Sequence, residues 1–281
     1  MTTALDLTIA IPVKNEERNL PNCLKSIGKD LASYIVVIDS ESNDKTQLIA
    51  AQFGAEIVNF KWDGKFPKKR NWFLRTYKIA TKWILFLDAD EHLTENFKSE
   101  LRKNLERDDK VGYWLTYTIY FLGKKLKGGY PLRKLALFKV GTGEYEKIDE
   151  DKWSNLDMEV HEHPVLKGDV GIIKNKIDHQ DFRSVAHYIN KHNEYASWEA
   201  NRYIKIVSNR NIVSGWTWRQ QIKYRLMRSI LLGPIYFFGS FFLLGGFRDG
   251  ARGWAFATLK MSYFTMVYCK IKEIKQVASS L

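Results

Sequence analysis

The chain has 281 residues, 45% of them hydrophobic, and a formal net charge of +12. That length holds one large domain, or one domain with an appendage, and the apolar fraction excludes a disordered or fibrous chain. The two cysteines, Cys23 and Cys269, lie at opposite ends, which excludes a disulfide framework or a paired-cysteine metal centre and suits a reducing compartment. The charge is uneven: from Arg202 to Leu281 there are 13 Lys and Arg against 2 acids, so residues 1–201 are nearly neutral.

Residues 7–12 (Leu-Thr-Ile-Ala-Ile-Pro) read as a buried strand. The first seven residues show no basic stretch followed by an apolar core, so no signal peptide is expected. Asn19 stands as an N-cap before a helix with Leu20, Leu24, Ile27 and Leu31 on one face. Residues 34–39 form a second apolar run ending in Asp39, and the polar turn at 40–44 opens a helix over 45–53. A short strand is expected at 55–58, a helix over 68–79 and a strand at 83–87. Strand and helix alternate, which predicts a parallel sheet covered by helices. No Gly-x-Gly-x-x-Gly follows the first strand, so the usual dinucleotide fold is disfavoured. Further on, helices are expected over 94–105 and 184–206 and strands over 111–122, 135–140 and 170–177, with a turn at 123–129 and an unpatterned stretch at 141–159.

The C-terminal part changes character. Residues 215–228 mix Trp216, Trp218, Tyr224, Leu226 and Met227 with Arg219, Lys223, Arg225 and Arg228, the pattern of an interfacial membrane helix. Residues 229–247 then carry no charge. That is close to the length that spans a bilayer, although its glycines and Pro234 weaken a single helix. The segment crosses, re-enters or lies flat. Residues 254–274 give a further amphipathic stretch. A nucleic-acid arm needs no apolar run of this kind, so an anionic membrane surface is the expected partner and nucleic acid is not; a soluble core helix is the alternative.

Three acidic strand ends carry the chemistry. Trp83-Ile84-Leu85-Phe86-Leu87 leads into Asp88-Ala89-Asp90-Glu91. Alternation along a strand would put Asp88 and Asp90 on one face, as a divalent cation on a diphosphate requires; a solvated acidic turn is the alternative. In a parallel sheet this end joins Pro12–Glu16 and Asp39–Asp44 on one edge, where open α/β sheets bind ligands. Lys68, Lys69 and Arg70 begin the intervening helix, and a helix N-terminus beside cations suits phosphate oxygens.

The runs Ile11-Pro12-Val13-Lys14-Asn15-Glu16, Val37-Ile38-Asp39-Ser40-x-Ser42-x-Asp44-x-Thr46, Arg70-Asn71-Trp72 and Leu87-Asp88-Ala89-Asp90-Glu91 resemble the family 2 glycosyltransferases of GT-A fold. Within these the chain is most similar to bacterial lipopolysaccharide-core β-glucosyltransferases that add glucose to a heptose. Val160-His161-Glu162, His179 and Phe247-Arg248-Asp249-Gly250 add to that likeness. The resemblance implies an α/β, Rossmann-like GT-A domain over residues 1–210, with a mixed central sheet and helices on both faces. A basic, aromatic, membrane-associating helical segment follows over 211–281.

It also implies a UDP-sugar donor, Mg²⁺ or Mn²⁺, inversion at the anomeric carbon and a lipid-linked saccharide acceptor at the cytoplasmic face of a bacterial inner membrane. Pro12, Val13, Lys14, Asn15, Glu16, Asp39, Ser42, Lys69, Arg70, Asn71, Asp88 and Ala89 would hold the nucleotide sugar. Asp88, Asp90 and His161 would hold the metal. Glu162 would be the general base, with Glu159 and Asp157 as competitors. Arg133 and His179 would meet the acceptor or the diphosphate; Arg133 equally suits balancing nearby acids. The alternatives are a transferase for a polyprenyl-phosphate or capsule precursor, and a basic membrane-binding protein with a degenerate site.

Overall fold

The computed structural model describes residues 3–147, 156–159, 163–181, 183–208 and 218–280. Its strands are β1 (Leu5–Val13), β2 (Ala32–Asp39), β3 (Glu56–Asn59), β4 (Trp83–Phe86), β5 (Glu91–His92), β6 (Gly112–Phe121), β7 (Lys124–Lys125), β8 (Arg133–Lys139), β9 (Gly143–Tyr145), β10 (Pro164–Leu166) and β11 (Val170–His179). Its α-helices are α1 (Leu20–Ile27), α2 (Thr46–Gln52), α3 (Lys69–Thr76), α4 (Glu95–Arg107), α5 (Val185–Ser208), α6 (Trp218–Leu226), α7 (Leu232–Phe238) and α8 (Ala251–Ser280). Two units result. One holds the described residues through 181 apart from Lys124–Tyr130; the other holds Lys124–Tyr130 and the residues from Arg183 onward.

The first unit is built on a mixed sheet in the order β3-β2-β1-β4-β8-β6-β11-β5. The first four strands are parallel, with Ile9 level with Ile35 on one side and Leu85 on the other. β1 lies between two neighbours and is covered on both faces, so residues 7–13 are all buried; the unbroken apolar run reflects that position. β8 enters antiparallel to β4 and β6, and β11 runs parallel to β6. α1 buries Leu20, Cys23, Leu24 and Ile27. α4 buries Phe97, Leu101 and Leu105 and is capped by Thr94, whose hydroxyl accepts the Phe97 N–H at 3.2 Å. Phe73, Trp83, Phe97, Tyr113 and Phe138 are the bulkiest members of this core.

Several local expectations change. Asn19 occupies the N-cap position of α1, but its amide donates to Glu16 (2.9 Å) and Asp181 (3.4 Å) instead of capping. The stretch read as unpatterned contains β9, paired antiparallel with β10. Strands of three residues show no measurable alternation, so neither is visible in the sequence. Gly143 is required there, because a Cβ would stand 2.0 Å from the Val165 carbonyl oxygen.

The second unit has its own core, in which Ala196, Ala200 and Tyr203 of α5 join Met227, Leu232, Tyr263, Phe264 and Val267. The division therefore precedes α5, not residue 211. Amphipathic spacing announces a helix but not the core it joins. The uncharged stretch 229–247 is not one helix. α7 has seven residues and is followed by a π turn, Gly239–Leu243, and a 3-10 turn, Gly246–Asp249. Among the described residues no helix is long and apolar enough to cross a membrane.

Candidate active site

The parallel register brings the ends of β1, β2 and β4 to one edge of the first unit. The loops after β1 and β2 are laced together there. The Asn15 N–H donates to the Ser42 hydroxyl and the Asn43 N–H to the Asn15 side chain, both at 2.8 Å. The Glu16 N–H donates to the Thr46 hydroxyl, also at 2.8 Å. Asn15 adopts φ +55°, the left-handed region that Asn tolerates better than most residues. Asp39 is fully buried, and its carboxylate accepts from the Ser42 hydroxyl, the Ser42 N–H (3.0 Å) and the Gln47 amide (2.7 Å). Its first task is therefore to set the shape of this loop. Pro12 and Val13 are buried behind it, while Lys14 and Asn15 are exposed at the rim.

α3 starts beside this edge. Lys69 is buried, donating to the Val13 carbonyl (3.0 Å) and standing 3.3 Å from the Asp157 carboxylate. Burial pushes its pKa down, with Asp157 opposing. The N–H groups of Arg70 and Asn71 both donate to Glu159, at 3.0 and 2.9 Å. The helix N-terminus expected to hold phosphate thus holds the chain's own carboxylate, which satisfies two otherwise orphaned donors. The Arg70 guanidinium donates to the Glu159 carbonyl (2.8 Å) and to Asp88 (2.7 Å). The Asn71 amide is locked to both backbone polar groups of Tyr145, at 2.9 Å each. Asn71 is a scaffold residue in this arrangement.

β4 ends at Phe86, so Asp88-Ala89-Asp90 forms a turn and alternation no longer governs it. The two acids have different surroundings. One Asp88 oxygen meets Arg70 and the other meets Lys134. Asp90 is buried, with its carboxylate 3.5 Å from His179 Nε2. β5 pairs with the end of β11, setting His179 opposite Glu91, and the Gln180 N–H donates to the Asp90 carbonyl at 2.7 Å. Glu91 is buried and also meets Lys134. Burial, with Asp88 and Asp90 nearby, pushes the Glu91 carboxyl up to about 7 against the pull of Lys134. Burial alone disfavours the Lys134 ammonium, but Asp88 and Glu91 outweigh it and hold it well above the usual lysine range. The ammonium also lies over the Tyr117 ring at 5.2 Å.

Among the described residues no three His, Cys, Asp or Glu side chains form a metal cage. A cation held by one or two protein oxygens and completed by phosphates does not need one. Asp90 beside His179 fits such a cation, since a carboxylate oxygen and an imidazole nitrogen share one spot. Asp88 fits it less well, because each of its oxygens already has a cationic partner.

The structure therefore gathers Val13, Asn15, Asp39, Ser42, Lys69, Arg70, Asp88, Ala89, Asp90 and His179 at one edge. His161 and Glu162 lie outside the described residues. Arg133 is not part of the cluster: it is exposed, and it is the next residue, Lys134, that joins Arg70 in contact with the acids. The antiparallel register of β8 on β4 sets Leu137 level with Leu85, and continuing it places Lys134 level with Asp88. Lys134 and the capping role of Glu159 had no signature in the sequence, because each depends on a partner far along the chain; Glu91 was legible as part of the acidic run, but not its pairing with Lys134. Glu159→Ala is expected to lower stability by about 2 kcal/mol by leaving two buried N–H groups unpaired. Urea denaturation checks this; a catalytic base at Glu159 would instead lose turnover at unchanged stability.

A parallel half-sheet with acids and buried cations at its carboxyl edge places these side chains where open α/β sheets bind ligands. Residues 8–158 match the model of glycosyl transferase family 2, and the chain belongs to that family. Its fold is the mixed α/β GT-A fold, with C-terminal helices appended. It is 34% identical over 108 residues to a TPR repeat-containing protein of Synechococcus elongatus, covering 38% of this chain and 26% of that one. It is 30% identical over 202 residues to a glycosyltransferase of Rickettsia bellii, covering 69% of this chain and 66% of the relative. The chain thus spans about a quarter of the first relative and just under two thirds of the second. A solved structure of TarS from S. aureus covers 95% of this chain and 91% of its own, at 11% identity and a TM-score of 0.43.

Proposed function

We propose that this glycosyltransferase moves a sugar, glucose in our reading, from a UDP-sugar to a lipid-linked acceptor. The lipopolysaccharide inner core is the acceptor we favour, reached from the cytoplasmic face of a bacterial inner membrane. The observation that carries the donor half is the asymmetry of the acidic turn: Asp88 is neutralised by Arg70 and Lys134, while Asp90 lies against His179. Asp90 and His179 would hold Mg²⁺ or Mn²⁺. When bound, the ion would offset the charge that builds on the leaving diphosphate. Lys14, Asn15 and the loop ordered by Asp39 and Ser42 would take the nucleotide, and Lys69 and Arg70 add buried positive charge beside it. In an inverting transfer a carboxylate takes the acceptor hydroxyl proton as the oxygen bonds to the anomeric carbon and the bond to UDP breaks. With Asp157 paired to Lys69 and Glu159 capping α3, Glu162 is our choice of base. The basic, aromatic C-terminal region supports an anionic membrane as the place of reaction.

Calorimetric binding and hydrolysis of UDP-glucose, UDP-galactose and UDP-N-acetylglucosamine, with and without Mn²⁺ or Mg²⁺, test the donor. Metal-dependent preference for UDP-glucose is expected. Failure of all three to bind would overturn the donor assignment, and transfer to polyprenyl-phosphate substrates in place of heptose-bearing core would overturn the acceptor.

A further inference from the structure

In the second unit the broken stretch that contains α7 forms a ledge of exposed apolar side chains. Leu231, Ile235, Phe238, Phe242, Leu243 and Phe247 are each 47–85% exposed, and clustered exposed apolar side chains mark an interaction surface. Seven helical residues rise only about 10 Å, against a hydrocarbon core of about 30 Å. A ledge of this size reaches into one leaflet and not through two.

The ledge does not stand alone. The turn Lys124–Tyr130, with Lys124, Lys125 and Lys127 exposed, is fastened to it within the same unit. Asp249 accepts the N–H of Lys127 (2.9 Å) and of Gly128 (3.0 Å), and the Gly129 N–H donates to the Leu244 carbonyl at 2.9 Å. The fit leaves no space: a Cβ on Gly128 would stand 2.1 Å from the Gly245 carbonyl oxygen. The Tyr130 ring packs on Tyr236 at 4.9 Å and walls an apolar groove of about 410 Å³ shared with Leu231, Ile235, Phe238 and Leu243. Arg225, Arg228 and Arg248 are exposed on the same stretch of chain. Cations joined to exposed aliphatic and aromatic side chains are complementary to an anionic lipid interface, with headgroup phosphates outside and acyl chains within. A second copy of the chain would set the same cations against each other.

We infer that this ledge and the Lys124–Lys127 turn are one docking surface for an anionic phospholipid leaflet, held together by Asp249. The inference rests on the membrane partner of the proposed function and assigns it to named residues. Apolar side chains enter the acyl region, lysines meet headgroup phosphates, and Asp249 is the positioning residue that couples them.

Flotation of the full chain with vesicles of phosphatidylcholine, with and without phosphatidylglycerol, tests it. Wild type should float with the anionic vesicles and release as salt is raised. Leu243→Glu with Phe242→Glu should weaken binding at least tenfold, and Lys124→Glu with Lys125→Glu about tenfold, by removing attraction at the headgroups. Asp249→Ala should lose the preference for phosphatidylglycerol while retaining weak binding to both vesicles. Equal flotation with neutral vesicles, no flotation, or ledge variants that bind as wild type would each overturn the inference. So would a wild-type dimer in light scattering that Leu243→Glu dissociates, since the ledge would then be a self-interface. UDP-sugar hydrolysis in detergent separates the two readings: it should be unchanged in every variant. Its absence from wild type alongside the expected flotation would remove the transferase reading and leave this one standing.

Discussion

Asp90→Asn is expected to lower sugar transfer by about 10²–10³-fold, the loss typical of removing one preorganised electrostatic contact to the developing charge. The substitution keeps size and polarity but removes the negative charge held beside His179. Mn²⁺ titration in the presence of UDP is the more direct readout. Cation affinity should fall with turnover, while the urea midpoint moves little. His179→Ala should reduce the same affinity to a smaller degree. Wild-type turnover and metal affinity in Asp90→Asn would remove Asp90 from the metal and diphosphate site.

Lys134→Ala is expected to cost about 3 kcal/mol of stability, the lower end of the range for breaking a buried ion pair from one side. The lower end applies because the Lys134 side chain is 28% exposed while its partner Glu91 is only 1% exposed. Without the ammonium, Glu91 stays buried beside Asp88 and Asp90. Arg133→Ala, one residue away on the exposed face, should change stability by less than about 0.5 kcal/mol. Urea denaturation of the two variants side by side decides the matter. Equal small effects would show that the Lys134 contacts add nothing to the fold.

That pair of neighbours shows where the sequence stops being legible. Arg133-Lys134 reads as a basic dipeptide beginning a strand, and either residue could serve an acidic site. The choice is made by the antiparallel register of β8 on β4, which sets Lys134 level with Asp88. The same holds for Glu159, a carboxylate in an unpatterned stretch that the tertiary fold delivers to the first turn of α3. His179 was legible only as a resemblance; pairing of β5 with β11 brings it to Asp90. The uncharged stretch 229–247 was legible in composition but not in form. Its glycines and Pro234 signalled a weak helix; Gly233 and Pro234 lie inside α7, while the π turn begins at Gly239 and the 3-10 turn at Gly246.

The sequence by itself determined the parallel half of the sheet, the helices between its strands and the edge at which three acidic strand ends meet. Those features are local: apolar runs, amphipathic spacing and the chain direction of a strand–helix–strand unit carry them without reference to distant residues. Only the tertiary structure decided which carboxylates are neutralised, which helix end is capped, which core α5 joins and which lysines share a surface with the apolar ledge. Each of those is a pairing between residues far apart in the chain. A charge or an N–H is satisfied by whatever the fold brings within about 3 Å, and sequence order does not encode that distance.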